Sequence, residues 1–307
     1  MSCYKPLQAW KSLSGGPVMW DPRGAGPQVA IPCGQCIGCR VDRQEAWALR
    51  IAKEARMWPA HEKVFATFTY KEEKLPWDLG LHHEHWQKFI RALRDYEFNK
   101  ALASSRPARA ISYFMCGEYG GLFKRPHYHA CIFGAVDFMD RKDMGDTWTS
   151  PTLEKIWGNG IVRCGDINMT TARYCAAYVI KRTNGKMAEE VNPETGLKRY
   201  ERFHSQTGEI VEVKPEYAKM SLRPAIGKRW YERYGIDEMK KNGLVENGRE
   251  WKIPKYFWEK FKETHPEDAE VLAYDRLKKG NRKERTPERL AVRERVHKAK
   301  IQFNEER

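Results

Sequence analysis

The sequence predicts an α+β fold with a mainly antiparallel central sheet and flanking helices. Between residues 61 and 190, segments rich in β-branched and aromatic residues alternate with amphipathic segments. Two of the β-type segments are separated only by a short turn that contains glycine and proline. The order strand, helix, strand, strand, helix, strand, helix fits a split βαβ plan with helices on one face. The chain has no Gly-rich phosphate loop, so it does not resemble a nucleotide-binding doubly wound fold.

Four segments are predicted strands, because their composition favours a pleated conformation and the first of them alternates in polarity. They are residues 63–70 (KVFATFTY), 111–119 (ISYFMCGEY), 127–134 (HYHACIFG) and 160–168 (GIVRCGDIN). The turn between the second and third segments is short, which predicts a hairpin.

Three segments are predicted helices. Residues 82–96 place large apolar side chains at positions i, i+3, i+4 and i+7, the pattern of one buried helix face. Residues 170–182 (TTARYCAAYVIKR) start with two threonines, and we expect Thr170 or Thr171 to be the N-cap. A further helical stretch is expected near residues 138–157.

The chain is strongly basic. Its 307 residues include 55 Lys and Arg against 41 Asp and Glu, a net charge of +14. Residues 276–300 alone contain 11 basic and 3 acidic residues, a net +8. This excess indicates an anionic partner, either nucleic acid or an acidic membrane surface. For the basic C-terminal segment, contact with phosphates and a solvated terminal helix are both open.

Three regions are predicted along the chain. Residues 1–60 form an N-terminal segment with cysteines and a helix, and residues 61–190 form the α+β domain. Residues 191–307 form a basic, helical, DNA-contacting region. The N-terminus lacks the apolar stretch of a signal peptide, and no run of 18 apolar residues occurs, so we expect no membrane segment.

The motif His127-Tyr128-His129 opens the third predicted strand. Side chains at i and i+2 of a strand point to the same face, roughly 7 Å apart, so both imidazoles can approach one metal ion. A hairpin would bring Glu118 close to both histidines. Two imidazoles and a carboxylate suit Mg²⁺ or Mn²⁺. A loop histidine beside a hydrogen-bonded core histidine would give the same motif.

Two tyrosines, Tyr174 and Tyr178, lie one turn apart on the last predicted helix, with Arg173, Lys181 and Arg182 beside them. A phenol next to a metal-bound phosphate and a cation can act as a nucleophile. Its attack on a phosphodiester leaves a 5′-phosphotyrosyl link and a free 3′-OH, and a second tyrosine can carry out the reverse transfer. A bare YxxxY pattern also occurs among ordinary core or surface residues.

A cysteine cluster is predicted near the N-terminus. Cys33, Cys36 and Cys39 form a CxxCxxC motif, and Cys3 lies upstream. Four thiolates suit a tetrahedral structural Zn²⁺ site, while an iron–sulfur cluster and the absence of any metal are alternatives. Disulfides are not expected without a secretory signal.

Several segments together resemble a known family. The HYH motif is similar to the histidine–hydrophobe–histidine motif of HUH endonucleases, FATFTY (65–70) to their first motif, and YCAAYVIK (174–181) to their two-tyrosine motif. The tyrosines follow the histidines, as in rolling-circle replication initiators. Together with PCGQCIGCR (32–40), residues 117–134 and MSLRPAIGKRWYERYG (220–235) resemble the initiators of gokushovirus-type microviruses of the Microviridae.

The resemblance implies an HUH-type domain, of a split βαβ or RRM-like plan, that nicks and rejoins single-stranded DNA at a phage origin. Glu118, His127 and His129 would hold Mg²⁺ or Mn²⁺. Tyr178 would attack first, Tyr174 would be the second nucleophile, and Lys181 would support the developing charge. Tyr178 is preferred because Lys181 follows it at the third position, whereas Tyr174 is followed there by Ala177.

The implied partners are single-stranded or supercoiled circular phage DNA and host replication proteins such as a helicase and a polymerase, in the bacterial cytoplasm. Candidate DNA contacts are Arg173, Arg182, Arg223, Lys228 and Arg229. One rival is a non-catalytic, zinc-stabilised nucleic-acid-binding protein with structural histidines. Another is a tyrosine transposase or relaxase-like nuclease with the same site chemistry.

Overall fold

The computed structural model describes residues 2–121, 123–134, 136–181, 186–204, 207–278 and 286–305. The chain divides into two compact units. The smaller unit consists of Met1–Gln44 and Lys262–Arg307, and the larger unit is Glu45–Phe261. The predicted 61–190 region lies within the larger unit. The boundaries predicted at residues 60 and 190 differ from this division, because segments beyond both of them pack against the central sheet of the larger unit.

Thirteen strands occur in the described residues. In chain order they are β1 (Leu7–Trp10), β2 (Gln28–Ile31), β3 (Lys63–Phe68), β4 (Ser112–Tyr119), β5 (Pro126–Phe133), β6 (Lys142–Met144), β7 (Thr147–Thr149), β8 (Val162–Gly165), β9 (Glu201–Phe203), β10 (Ile210–Glu212), β11 (Tyr217–Met220), β12 (Leu244–Glu246) and β13 (Arg249–Trp251). The four predicted strands correspond to β3, β4, β5 and β8.

The α-helices of the described residues include several short ones. They are α1 (Ile37–Ala55), α2 (His83–Ala103), α3 (Pro151–Trp157), α4 (Met169–Lys181), α5 (Lys186–Glu189), α6 (Lys228–Trp230), α7 (Ile236–Lys240), α8 (Lys255–Thr264), α9 (Pro266–Lys278) and α10 (Pro287–Glu305). The C-terminal region is therefore helical where it is described. None of the helices that the structure describes is long and apolar enough to cross a membrane.

The larger unit is built on a seven-stranded sheet in the order β11-β4-β5-β3-β8-β7-β6. Every pair of neighbours in it is antiparallel, which confirms the predicted α+β class with a mainly antiparallel sheet. The predicted hairpin is β4–β5. The edge strand β11 has no counterpart among the predicted strands, because it is only four residues long and pairs with a strand about 100 residues away.

Strand alternation gives the sheet two different faces. On the Tyr128 face, Tyr128, Ala130 and Ile132 of β5 pack with apolar residues of α2 and α3. On the His129 face, residues such as Phe133 pack with α1 and α4. Helices thus cover both faces of the sheet, whereas the split βαβ interpretation expected them on one face.

Two local predictions are wrong. The stretch 138–157 is helical only from Pro151, because β6 and β7 form a hairpin around a two-residue turn whose Gly145 has a φ of 67°. The N-cap of α4 is Asn168, and neither threonine. The Thr171 N–H donates to Asn168 Oδ1 (3.0 Å) and the Asn168 N–H donates to Thr171 Oγ1 (2.9 Å), a reciprocal capping arrangement.

Candidate metal and tyrosine site

The register of the β4–β5 hairpin determines which side chains meet. Glu118 of β4 lies opposite His127 of β5, and Cys116 lies opposite His129. Since side chains alternate along each strand, Glu118, His127 and His129 all point to the His129 face. The structure therefore brings the three predicted metal ligands together at the turn end of the hairpin.

The three polar groups are in direct contact. The Glu118 Oε1 atom lies 2.6 Å from His127 Nε2 and 2.7 Å from His129 Nε2. Glu118 and His129 are buried, and His127 is half-buried. Burial favours the neutral acid, but the hydrogen bonds from both imidazoles outweigh it and hold the pKa of Glu118 at about 2. The carboxylate is therefore ionised at neutral pH.

Both imidazole rings are oriented by their second nitrogen. The His127 Nδ1–H donates to the carbonyl oxygen of Arg125 (3.2 Å), and His129 Nδ1 lies 2.8 Å from the Thr67 hydroxyl. Phe65 stacks on the His129 ring at 5.8 Å, with the planes 5° apart. When each Nδ1 carries its proton, each Nε2 can offer a lone pair to a cation, the arrangement that a metal-binding histidine requires.

Tyr174 reaches this group from α4. Its hydroxyl lies 3.3 Å from His129 Nε2 and 3.4 Å from Glu118 Oε1. The helix is anchored on the sheet by its buried residues Ala172, Cys175 and Ala176. The Tyr174 side chain itself remains 44% exposed, so its hydroxyl is accessible to a macromolecular substrate.

The other predicted residues of this helix lie partly beyond what the structure describes. Tyr178 and Lys181 belong to α4, but their side chains lie outside the described residues, as does Arg182 altogether. Of the five residues that were predicted near the tyrosine motif, the structure thus places the side chains of Tyr174 and Arg173. The Arg173 guanidinium lies 3.2 Å from Glu45 and 4.7 Å from the centre of the Trp251 ring.

The predicted DNA contacts of residues 223–229 have different surroundings. Arg229 forms a 2.7 Å ion pair with the buried Glu54, so its charge is used within the protein. Lys228 is exposed and lies 3.3 Å from Glu232, and Arg223 is exposed. All three follow β11 at the end remote from Glu118, because the strand is antiparallel to β4.

Sequence reasoning missed two residues on the His129 face. Thr67 of β3 lies opposite His129 in register, and Arg163 of β8 lies opposite Thr67. Arg163 is exposed and adds a positive charge two strands away from His129. Alternation along KVFATFTY places Thr67 on one face, but the cross-strand register that pairs it with His129 is not readable from one strand.

The donor set fits a divalent cation. One carboxylate oxygen and two imidazole nitrogens lie within 4.8 Å of one another. Both nitrogens are turned towards the same oxygen, and a cation between them would satisfy all three. Three protein ligands would leave coordination positions for substrate oxygens.

The second candidate metal group among the described residues is the cysteine cluster. The sulfur atoms of Cys3, Cys33, Cys36 and Cys39 also lie within 4.8 Å of one another. Three of the four side chains are buried, and Cys33 is half-buried. The predicted four-cysteine group is therefore assembled in the smaller unit and is compatible with metal binding.

Comparison with known proteins gives one family and several relatives. The family model of the replication-associated protein ORF2 matches residues 63–183. Replication-associated protein VP4 of Bdellovibrio phage phiMH2K is 28% identical over 87% of this chain and 79% of its own length. Replication-associated protein ORF2 of Spiroplasma virus 4 is 28% identical over 84% and 79%, respectively.

A third relative is more distant. Replication-associated protein ORF4 of Chlamydia phage 1 is 24% identical over 78% of this chain and 55% of its own length. No solved structure matches the chain. Residues 63–183 hold Glu118, both histidines and Tyr174, and by this match and its relatives the chain belongs to the replication-associated proteins of phages.

Proposed function

We propose that the protein is a replication initiator that nicks single-stranded DNA at a phage origin through a tyrosine of α4. The reaction leaves a 5′-phosphotyrosyl intermediate and a free 3′-OH, and the reverse transfer rejoins the DNA to complete rolling-circle replication. The substrate is single-stranded or supercoiled circular DNA, and host helicase and polymerase extend the 3′-OH in the bacterial cytoplasm. The enzyme is thus a metal-dependent endonuclease and strand transferase.

The contact of the Tyr174 hydroxyl with Glu118 and His129 carries this proposal. A tyrosine that packs as an ordinary core residue has no reason to present its hydroxyl to a buried carboxylate and an imidazole. The partial exposure of Tyr174 leaves room for a phosphodiester beside the same groups. The relatives are replication-associated proteins of phages, which supports DNA as the substrate.

In this mechanism Glu118, His127 and His129 hold the Mg²⁺ or Mn²⁺ ion. The ion would polarise the scissile phosphate and offset its growing negative charge. The tyrosine oxygen forms a bond to phosphorus as the bond from phosphorus to the 3′ oxygen breaks. Thr67 and the Arg125 carbonyl keep the two imidazoles in the tautomer that exposes Nε2, and Arg163 offers a cation to the DNA backbone on the same face.

The first nucleophile can be either tyrosine. The lysine at position 181 favours Tyr178, with Lys181 supporting the phenolate, while the contacts at the site favour Tyr174. Both belong to α4 and are one turn apart, so that each can accept the strand released from the other. We therefore propose that both act, one in cleavage and the other in rejoining.

The topology supports an HUH-type domain. The strand that bears the two histidines, β5, is central and lies between β4 and the first-motif strand β3. The tyrosine helix α4 packs on the same face as the histidines. A structural Zn²⁺ ion on the four cysteines completes the proposed metal content. Of the predicted DNA contacts, Arg223 and Lys228 are exposed, and we propose them together with Arg173, Arg182 and Arg229.

The test is adduct formation on circular single-stranded DNA that carries the origin, with Mg²⁺ or Mn²⁺ and with or without chelator. Denaturing gels should show a metal-dependent protein–DNA adduct that maps to Tyr174 or Tyr178. Phenylalanine variants at each position show which tyrosine attacks first, and the double variant should form no adduct while it still binds DNA. Tight, salt-sensitive binding with intact DNA in every ion would instead favour the non-catalytic binding protein.

A further inference from the structure

In the smaller unit, a groove of about 450 Å³ lies between Tyr4 and one side of α10. Its described lining includes three cations, Arg289, Arg293 and Lys300, and no carboxylate. We propose that this groove binds a nucleic acid backbone, and that a Zn²⁺ ion on the four cysteines holds its Tyr4 wall in place. The inference rests on the proposed function in one respect only, that DNA is the partner.

The cations are arranged along a single side of α10. Arg289, Arg293, Val296 and Lys300 are separated by four, three and four residues, the spacing of neighbours on one helix face. They extend along about 16 Å of helix, and all are exposed. Leu290 is buried on another side of the helix and lines a cavity with β1 and β2 residues. That contact anchors α10 and leaves the cationic side outward.

A nucleic acid backbone fits this groove better than a single small anion does. The charges are spread along the helix, as the phosphates of a strand are. Val292, Val296 and the Tyr4 ring line the groove between them and offer apolar surface to sugars and bases. The neighbouring carboxylate, Glu294, lies 3.5 Å from Lys298, which does not line the groove.

Tyr4 connects the groove to the cysteine cluster. Its hydroxyl lies 2.9 Å from His297 Nδ1 of α10, and the two rings pack edge to face at 5.8 Å. Its backbone N–H donates to the Cys36 sulfur at 3.3 Å. Since Cys3 is the preceding residue, the position of Tyr4 depends on how the four sulfurs are held.

The cysteine cluster has the features of a metal site. Backbone N–H groups of Cys33 and Cys36 donate to the sulfurs of Cys3 and Cys33, both at 3.3 Å, as amides do around metal-bound thiolates. A Cβ atom on Gly38 would lie 1.8 Å from the Ser2 carbonyl oxygen, so only glycine lets the N-terminus lie this close to the CxxCxxC turn. Four sulfur donors and no other ligand favour Zn²⁺.

The first test compares two variants of the full chain that each remove one arginine and one lysine from α10. Arg293→Ala/Lys300→Ala changes the groove, and Arg295→Ala/Lys298→Ala changes the same helix outside it. Binding to a 30-residue oligothymidylate is measured by fluorescence anisotropy at several KCl concentrations. Each phosphate contact to a single strand contributes about 0.7 to the slope of log K against log salt.

The groove variant should therefore lose about 1.4 from that slope and bind about 25-fold more weakly at 0.1 M salt, while the control variant retains most of both. An equal loss in the two variants would overturn the groove, as would binding of wild-type protein to phosphatidylglycerol vesicles but not to the oligonucleotide. The oligonucleotide carries no origin, so this result is independent of nicking. A protein that nicks but shows no difference between the variants would refute the groove alone.

The second test removes the metal. Purified protein should contain one Zn²⁺ per chain, and Co²⁺ substitution should give the thiolate charge-transfer band of a four-sulfur site. Zinc-free protein, checked by circular dichroism for retained folding, should show the salt slope of the groove variant. Tyr4→Ala, which leaves the sulfurs intact, should weaken binding about fivefold or more. Absence of zinc, an iron–sulfur absorbance, or a wild-type slope in metal-free protein would overturn the coupling.

Discussion

The two faces of the seven-stranded sheet are built from alternate residues of the same strands, yet they differ in kind. On the Tyr128 face the apolar side chains of β3, β4 and β5 are buried under α2 and α3, and the Tyr128 hydroxyl donates to the His82 carbonyl oxygen at 2.8 Å. On the His129 face, polar groups replace apolar ones at the turn end of the hairpin, and Tyr174 there is partly exposed.

The difference shows how one backbone supports both stability and chemistry. Alternation allows His129 to change the chemistry of one face while Tyr128 and Ala130 keep the packing of the other. Ionisable groups are costly to bury, and here Glu118 is stabilised by contact with two imidazoles. We therefore expect changes on the His129 face to affect activity, and changes on the Tyr128 face to affect folding.

The largest expected effect comes from exchanging the two faces as targets. His129→Ala removes a proposed metal ligand, so nicking should fall by about 10³-fold or more, because the ion supplies several kcal/mol of charge stabilisation. Leu93→Ala on α2 leaves a cavity under the Tyr128 face and should cost about 2–5 kcal/mol of unfolding free energy. Adduct assays and urea denaturation measure the two quantities.

The informative pattern is the separation of the two effects. Leu93→Ala, assayed well below its denaturation midpoint, should nick at a rate close to that of the wild type. If His129→Ala loses as much stability as Leu93→Ala and its activity follows its folding, the two faces do not divide chemistry from packing.

The next effect concerns the charged end of α2. Glu97 is 1% exposed and contacts Arg106 (2.6 Å) and Arg109 (3.1 Å). Burial opposes its ionisation, but hydrogen bonds from both guanidinium groups lower the pKa of Glu97 to about 2, against 4.5 in the unfolded chain. A folded-state pKa below the unfolded one stabilises the protein above pH 4.5, and this stabilisation disappears as the pH falls towards 2.

Glu97→Gln should therefore destabilise the protein at pH 7 by about 3 kcal/mol, and the difference from wild type should shrink steadily between pH 4.5 and pH 2. Denaturant titrations across this range measure it, and nicking at neutral pH should persist in the folded variant. A gap between wild type and variant that does not change with pH would show that the ion cluster contributes through packing only.

The smallest expected effect tests how the His129 ring is oriented. Thr67→Val keeps the shape of the side chain but removes the hydroxyl that lies 2.8 Å from His129 Nδ1. Loss of such a partner should weaken Mn²⁺ binding by about 10–100-fold, with little change in unfolding free energy. Electron paramagnetic resonance titration of Mn²⁺ measures the affinity. Thr67→Ser should restore it, and a serine variant as weak as the valine variant would argue against the hydroxyl.

Much of the larger unit follows from local pattern. Alternation in KVFATFTY and the short turn after β4 predict the strands and the hairpin, and the hairpin then brings Glu118 to the two histidines. The β6–β7 hairpin was missed because short exposed strands carry little periodicity. The cap of α4 was missed because Asn168 and Thr171 compete locally for the same role, and only the realised hydrogen bonds distinguish them.

By itself the sequence determined the α+β class, the placing of both histidines on one face, and the candidate groups of ligands, because these depend on residue type and on periods of two or 3.6 residues. Only the tertiary structure decided which groups touch: Thr67 with His129, Tyr174 with Glu118, and Cys3 and Tyr4 with residues far along the chain. Such contacts join residues 30 to 293 positions apart. Their pairing is set by strand register and by the packing of helices on the sheet, and no local period encodes either.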